Sequence, residues 1–136
     1  RDAVVQGIAE GADELIVVNF ANADMVGHTG VVDAAVRGIE TVDACVGDIR
    51  RAVVAAGGLL CVTADHGNSE VMIEPDGSPN TAHTTNLVHG IYVAGDSGRF
   101  TVRDGILADI APTLLEMLGL PQPAEMTGRS LLARRP

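Results

Sequence analysis

A strand-length apolar run, a long amphipathic helix and a second apolar run follow one another along this chain, and that order limits the fold more than any other feature. Leu15-Ile16-Val17-Val18-Asn19-Phe20 is the first run and Leu59-Leu60-Cys61-Val62-Thr63 the second. Both have the length and residue types of buried strands. Between them, residues 31–56 carry Val32, Ala35, Ile39, Val42, Val46, Ile49 and Val53, spaced alternately three and four apart. Asp33, Arg37, Glu40, Asp43, Asp48 and Arg51 fall mostly elsewhere, which leaves a solvated helix face. Gly57-Gly58 then closes the helix. Strand, helix, strand is a βαβ unit with a right-handed crossover. The expected fold is therefore α/β, with a mostly parallel sheet covered by helices on both faces.

The remaining segments are shorter. Residues 3–9 read as the end of a helix that stops near Gly11. Val71-Met72-Ile73 reads as a strand entering a tight turn at Pro75-Asp76-Gly77, with His83 on the return arm. Ile91-Tyr92-Val93-Ala94 reads as a further strand. A last helix is expected over 109–118, with Ile110, Leu114, Leu115 and Leu118 inward and Pro112 in its first turn. Aromatic residues make up only 2% of the 136, so the core must come from Ala, Val, Leu and Ile, in one domain at most. Cys45 and Cys61 read as buried thiols.

The formal net charge is −9 and every basic residue is Arg. Such a chain does not suit nucleic acid or an anionic membrane. An anionic substrate would need metal ions to reverse the local field. There is no signal peptide or transmembrane run, which gives a cytoplasmic expectation. The chain opens on Arg1 rather than Met, and an upstream portion is expected.

Three polar strings carry the chemistry. Asp24-Met25-Val26-Gly27-His28 follows the first apolar run, and Ala64-Asp65-His66-Gly67-Asn68 follows the second. Thr81-Ala82-His83-Thr84-Thr85-Asn86 adds a third imidazole from a loop. The expected parallel sheet would bring the first two strings to one edge, beyond the carboxyl ends of neighbouring strands, where open α/β sheets hold ligands. Asp24 and His28, four apart, can meet one ion across a helical turn or a tight loop. Asp65 and His66 can address one metal or bridge towards two. Mixed carboxylate and imidazole donors suit Zn²⁺ or Mn²⁺ better than an all-oxygen Mg²⁺ or Ca²⁺ site. Two such ions could clamp a phosphate and lower a nucleophile's pKa. His89, at a strand start, reads as structural.

These strings resemble the metal motifs of the cofactor-independent (2,3-bisphosphoglycerate-independent) phosphoglycerate mutase family, in the alkaline phosphatase superfamily. Asn19-Phe20-Ala21-Asn22-Ala23-Asp24-Met25-Val26-Gly27-His28-Thr29-Gly30 is similar to the first, Thr63-Ala64-Asp65-His66-Gly67-Asn68 to the second and Ala82-His83-Thr84-Thr85-Asn86 to the third. The tail from Leu107 to Leu115 and on through Pro121-Gln122-Pro123-Ala124-Glu125-Met126-Thr127-Gly128 is similar too. Where the family usually has Pro-Val-Pro after Asn86, this chain has Leu87-Val88-His89, which loosens the loop without removing a ligand.

The resemblance implies part of a three-layer αβα sandwich of alkaline phosphatase type. Residues 1–136 would be the C-terminal segment of the phosphatase domain, without the family's N-terminal segment and inserted transferase domain. It also implies two Mn²⁺: Asp24, His28 and His83 would hold the first, and Asp65 and His66 the second. The family is an isomerase that exchanges a phosphoryl group between the 2- and 3-hydroxyls of glycerate through a phosphoserine, with no 2,3-bisphosphoglycerate. No catalytic nucleophile is expected here, since Ser69 is not in the family's nucleophile context, and the substrate-binding residues are not identified. The isolated chain is expected to be inactive and to self-associate. Two rival readings stand beside this one. One is another superfamily phosphotransferase or hydrolase, such as a phosphopentomutase, a phosphonate hydrolase or a phosphodiesterase. The other is a non-catalytic metal-binding or association module.

Overall fold

The computed structural model describes residues 1–95 and 100–134. Helix α1, Asp2–Glu10, leads through an irregular stretch to the short helix α2, Asn22–Gly27. The long helix α3, Val32–Ala55, precedes strands β1, Leu59–Val62, and β2, Ile91–Ala94. Strand β3, Phe100–Val102, a 3-10 turn at Leu107–Asp109, helix α4, Ile110–Met117, and strand β4, Leu132–Arg134, complete the order.

Helix α3 forms where its periodicity predicts, and buries Ala35, Ile49 and Val53. Ile39, on the same stripe, stays 45% exposed. Helices α1 and α2 and strands β1 and β2 all pack on α3. Met72, Ala94, Leu131 and Leu132 complete a small core. Helix α4 spans nearly the expected residues, but it buries Pro112 and Thr113, while Leu118 is exposed. Both cysteines are free and half-buried. Among the described residues, no helix is long and apolar enough to cross a membrane.

The sheet corrects the expectation. Among the described residues there is no mostly parallel sheet and no three-layer αβα sandwich. Instead, two small antiparallel pairs form: β1 with β2, matching Leu60 to Val93, and β3 with β4, matching Thr101 to Ala133. The Leu15–Phe20 run takes no regular secondary structure and joins no ladder among the described residues, and Val17 is 81% exposed. The physical reason is that an apolar run specifies an extended segment seeking cover, whereas a strand exists only through hydrogen bonds to a neighbour. The neighbour β1 finds is β2, which runs the opposite way. Val71–Ile73 likewise forms only one isolated bridge, Ile73 to Pro79, around the expected turn.

Candidate metal centre

Helix α2 and its C-terminal cap, His28, present Asp24 and His28 on one face, because residues four apart on helical backbone stack one turn above the other. Its C-terminal end abuts residues 68 and 69. A Cβ on Gly27 would run into the side chains of Asn68 and Ser69, so only a glycine lets that loop approach so closely. Ser69 uses the approach to donate its hydroxyl to the Ala23 carbonyl, 2.6 Å away. That bond gives Ser69 a structural task.

The loop bearing His83 comes in from the other side. Asp24 Oδ1 lies 3.2 Å from His28 Nε2 and 3.2 Å from His83 Nε2, and the two imidazole nitrogens are 3.1 Å apart. These three donors form a nearly equilateral triangle. An ion about 2.1 Å from its ligands sets them about 3.0 Å apart at right angles and about 3.4 Å apart in a tetrahedron. All three edges lie in that range, so the residues fit a divalent ion.

The hydrogen bonds around the triangle prepare it for a cation. His28 Nδ1 is 2.6 Å from the Thr81 carbonyl oxygen, which can only accept, so Nδ1 carries a proton and Nε2 is the nitrogen turned to the site. The Asn68 amide donates to Asp24 Oδ1 at 2.8 Å. That bond is the main cause holding the Asp24 carboxyl below its ordinary range; His28, His83 and His66 add to it, and partial desolvation opposes it. An ionised carboxylate and nitrogen lone pairs at about 3 Å repel unless a proton or cation lies among them.

His66 reaches the edge of this group. Its Nε2 is 4.0 Å from Asp24 Oδ1, and its ring stacks on His83 with centroids 3.7 Å apart. Its Nδ1 faces the Gly67 carbonyl at 3.3 Å, which again directs Nε2 toward the site. Asp65 points into solvent with its side chain 89% exposed, its Oδ1 3.8 Å from His66 Nε2. The structure thus gathers Asp24, His28 and His83 tightly, sets His66 beside them and leaves Asp65 at the rim. His89 is exposed and outside the cluster. Sequence reasoning overlooked the supporting groups Asn68, Glu70 and the Thr81 carbonyl. Asn68 lay within a quoted string and is only 5% exposed, but nothing in the spacing marked it as the donor to Asp24.

With this geometry established, comparison with known proteins is decisive. The model of the Metalloenzyme superfamily matches residues 1–122. The chain belongs to that superfamily. It is 58% identical over 131 residues to the 2,3-bisphosphoglycerate-independent phosphoglycerate mutase of Syntrophotalea carbinolica, covering 96% of this chain and 26% of that protein. The enzyme of the same name from Cereibacter sphaeroides is 60% identical over 132 residues, with the same two coverages, 96% and 26%. A crystal structure of Leishmania mexicana phosphoglycerate mutase at low cobalt concentration superposes with a TM-score of 0.88 at 31% identity. That match covers 98% of this chain and 27% of that one. The chain therefore spans about a quarter of the length of the relatives it matches, 26% of the first of them.

Proposed function

We propose that residues 1–136 are the metal-holding C-terminal segment of the phosphatase domain of a phosphoglycerate mutase. That enzyme interconverts 2- and 3-phosphoglycerate through a phosphoserine and without 2,3-bisphosphoglycerate. The observation that carries this reading is the triangle of Asp24 Oδ1, His28 Nε2 and His83 Nε2, built from strings that match the mutases. On this reading Asp24, His28 and His83 hold one Mn²⁺, and Asp65 and His66 contribute to a second. When bound, the ions offset the charge of the phosphate and of the oxygens that attack and leave. The chain's own residues prepare that site: Asn68 keeps Asp24 ionised and oriented, and the Thr81 carbonyl keeps His28 in the tautomer with a free Nε2. In a chain of formal charge −9, bound cations are what make room for an anionic glycerate phosphate.

The serine nucleophile and the substrate clamp belong, on this reading, to the mutase's N-terminal segment and inserted transferase domain. The 136 residues by themselves should therefore not turn over 3-phosphoglycerate. A cytoplasmic setting accompanies this function. Leu15, Val17 and Val18 expose an apolar run without ladder partners among the described residues, so a second copy is expected to cover it, and light scattering should find a dimer or larger.

A chimera tests the proposal. These residues replace the matching quarter of the Syntrophotalea carbinolica enzyme, and 3-phosphoglycerate conversion is followed with Mn²⁺. Activity that vanishes on His28→Ala is the expected result. A folded chimera with no activity, or one indifferent to His28→Ala, would contradict it.

A further inference from the structure

Glu70 takes no part in the triangle, yet its carboxylate joins the two loops that build it. One oxygen accepts the backbone N–H of Asn68 at 2.7 Å. The other accepts the Thr84 hydroxyl in a short bond and the Asn86 amide at 3.1 Å. Asn68 is the residue whose side chain holds Asp24, and Thr84 is the immediate neighbour of His83. Beside the carboxylate, the Thr84 N–H donates to the Gly67 carbonyl at 2.8 Å, an isolated antiparallel bridge between the same loops. A Cβ on Gly67 would collide with both the Glu70 carboxylate and the Thr84 hydroxyl, so the loops close together only around a glycine there.

From this geometry we infer that Glu70 is a positioning residue, which holds the His83 loop against Asp24 and His28 by bracketing Asn68 and Thr84. The inference rests on the metal reading above only for its functional consequence. A carboxylate that spends its oxygens on three donors from two loops fixes those loops before any ion arrives. That matters because His83 approaches the triangle from a loop, not from the helix that carries Asp24 and His28. Without the bracket, the triangle must be assembled at the moment of binding, at the expense of affinity. Ordered outer groups of this kind are typically worth about 10- to 100-fold in metal affinity.

The test compares Glu70→Ala with Glu70→Gln in the 136-residue chain. Both remove the same charge, but Gln keeps one acceptor oxygen and the side-chain length. In the metal-free chain, Glu70→Ala should speed hydrogen exchange of the Thr84 amide about tenfold, leaving the β1 amides protected, with Glu70→Gln in between. Mn²⁺ affinity should follow the same order, falling about 10- to 100-fold for Ala and less for Gln. Unchanged Thr84 protection in Glu70→Ala would overturn the inference, and so would equal affinity losses in the two variants, which would mark a pure charge effect. Should Ala unfold the chain and expose the β1 amides, the Gln variant alone decides: intermediate Thr84 protection supports the bracket and wild-type protection overturns it. A wild-type chain that takes no Mn²⁺ would instead overturn the metal reading, with the exchange data still deciding the role of Glu70.

Discussion

Asp24 and Asp109 are both aspartates with carboxyls held below the ordinary range, and they do opposite work. Asp109 is 4% exposed, and donors take up its oxygens. One accepts the Ile106 N–H at 3.0 Å and the other the Arg129 N–H at 2.8 Å, and these bonds, in that order, lower its pKa. Its main-chain carbonyl takes the Thr113 hydroxyl, which in turn accepts the Leu131 N–H. Asp24 Oδ1 takes the Asn68 amide, and its other close neighbours are the Nε2 atoms of His28 and His83. A carboxylate ringed by N–H groups completes the fold. One that shares an oxygen with two imidazole nitrogens has the donor set of a cation site. The direction of the pKa shift does not separate the two cases; the identity of the neighbours does.

That contrast can be broken by exchanging damage between the regions. The largest effect is expected at the cation side: Asp24→Asn, His28→Ala or Asp65→Asn should abolish turnover in the chimeric mutase. For Asp24→Asn and His28→Ala, the thermal midpoint of the metal-free chain should fall less than for Asp109→Ala. Circular dichroism and an activity assay on the same samples check both halves. Asp109→Ala should do the reverse, lowering the thermal midpoint clearly while the intact triangle keeps its Mn²⁺ affinity. If Asp109→Ala cost metal affinity instead, the two regions would be one unit.

A smaller loss is expected from Thr113→Val, which keeps the shape but leaves the buried Leu131 N–H without its acceptor. Urea unfolding should register about 1–3 kcal/mol for that change. Acid sharpens the comparison least. Both carboxyls have folded pKa values below their unfolded ones, so their stabilisation is complete above about pH 5 and is lost as pH falls through the lowered values. The melting temperature should therefore decline in acid, with a shallower decline in Asp109→Asn. A midpoint that rose on acidification would contradict both assignments.

Much of this was legible in the residues. Helix α3 followed from a stripe at alternating spacings of three and four, and β1 and β2 from short apolar runs. Asp24, His28 and His83 stood out as chemically unusual types in loops. The sheet was not legible, because a run such as Leu15–Phe20 records its own apolarity but not which backbone will pair with it. The pair β3 and β4 escaped notice for the same reason. Asn68, Glu70 and Asp109 were unreadable as supports, since a polar side chain's role depends on which donors tertiary folding brings to it. Asp65 and His66, adjacent in sequence, stay within 3.8 Å of each other, yet it is His66 whose ring stacks on His83.

The central claim is that Asp24, His28 and His83 form a cation site in this chain, and calorimetric titration of the 136 residues with Mn²⁺ tests it most directly. The account predicts one ion, bound more weakly than in the whole mutase, with the heat lost in His83→Ala. No binding, two tight ions, or a titration unchanged by His83→Ala would contradict it.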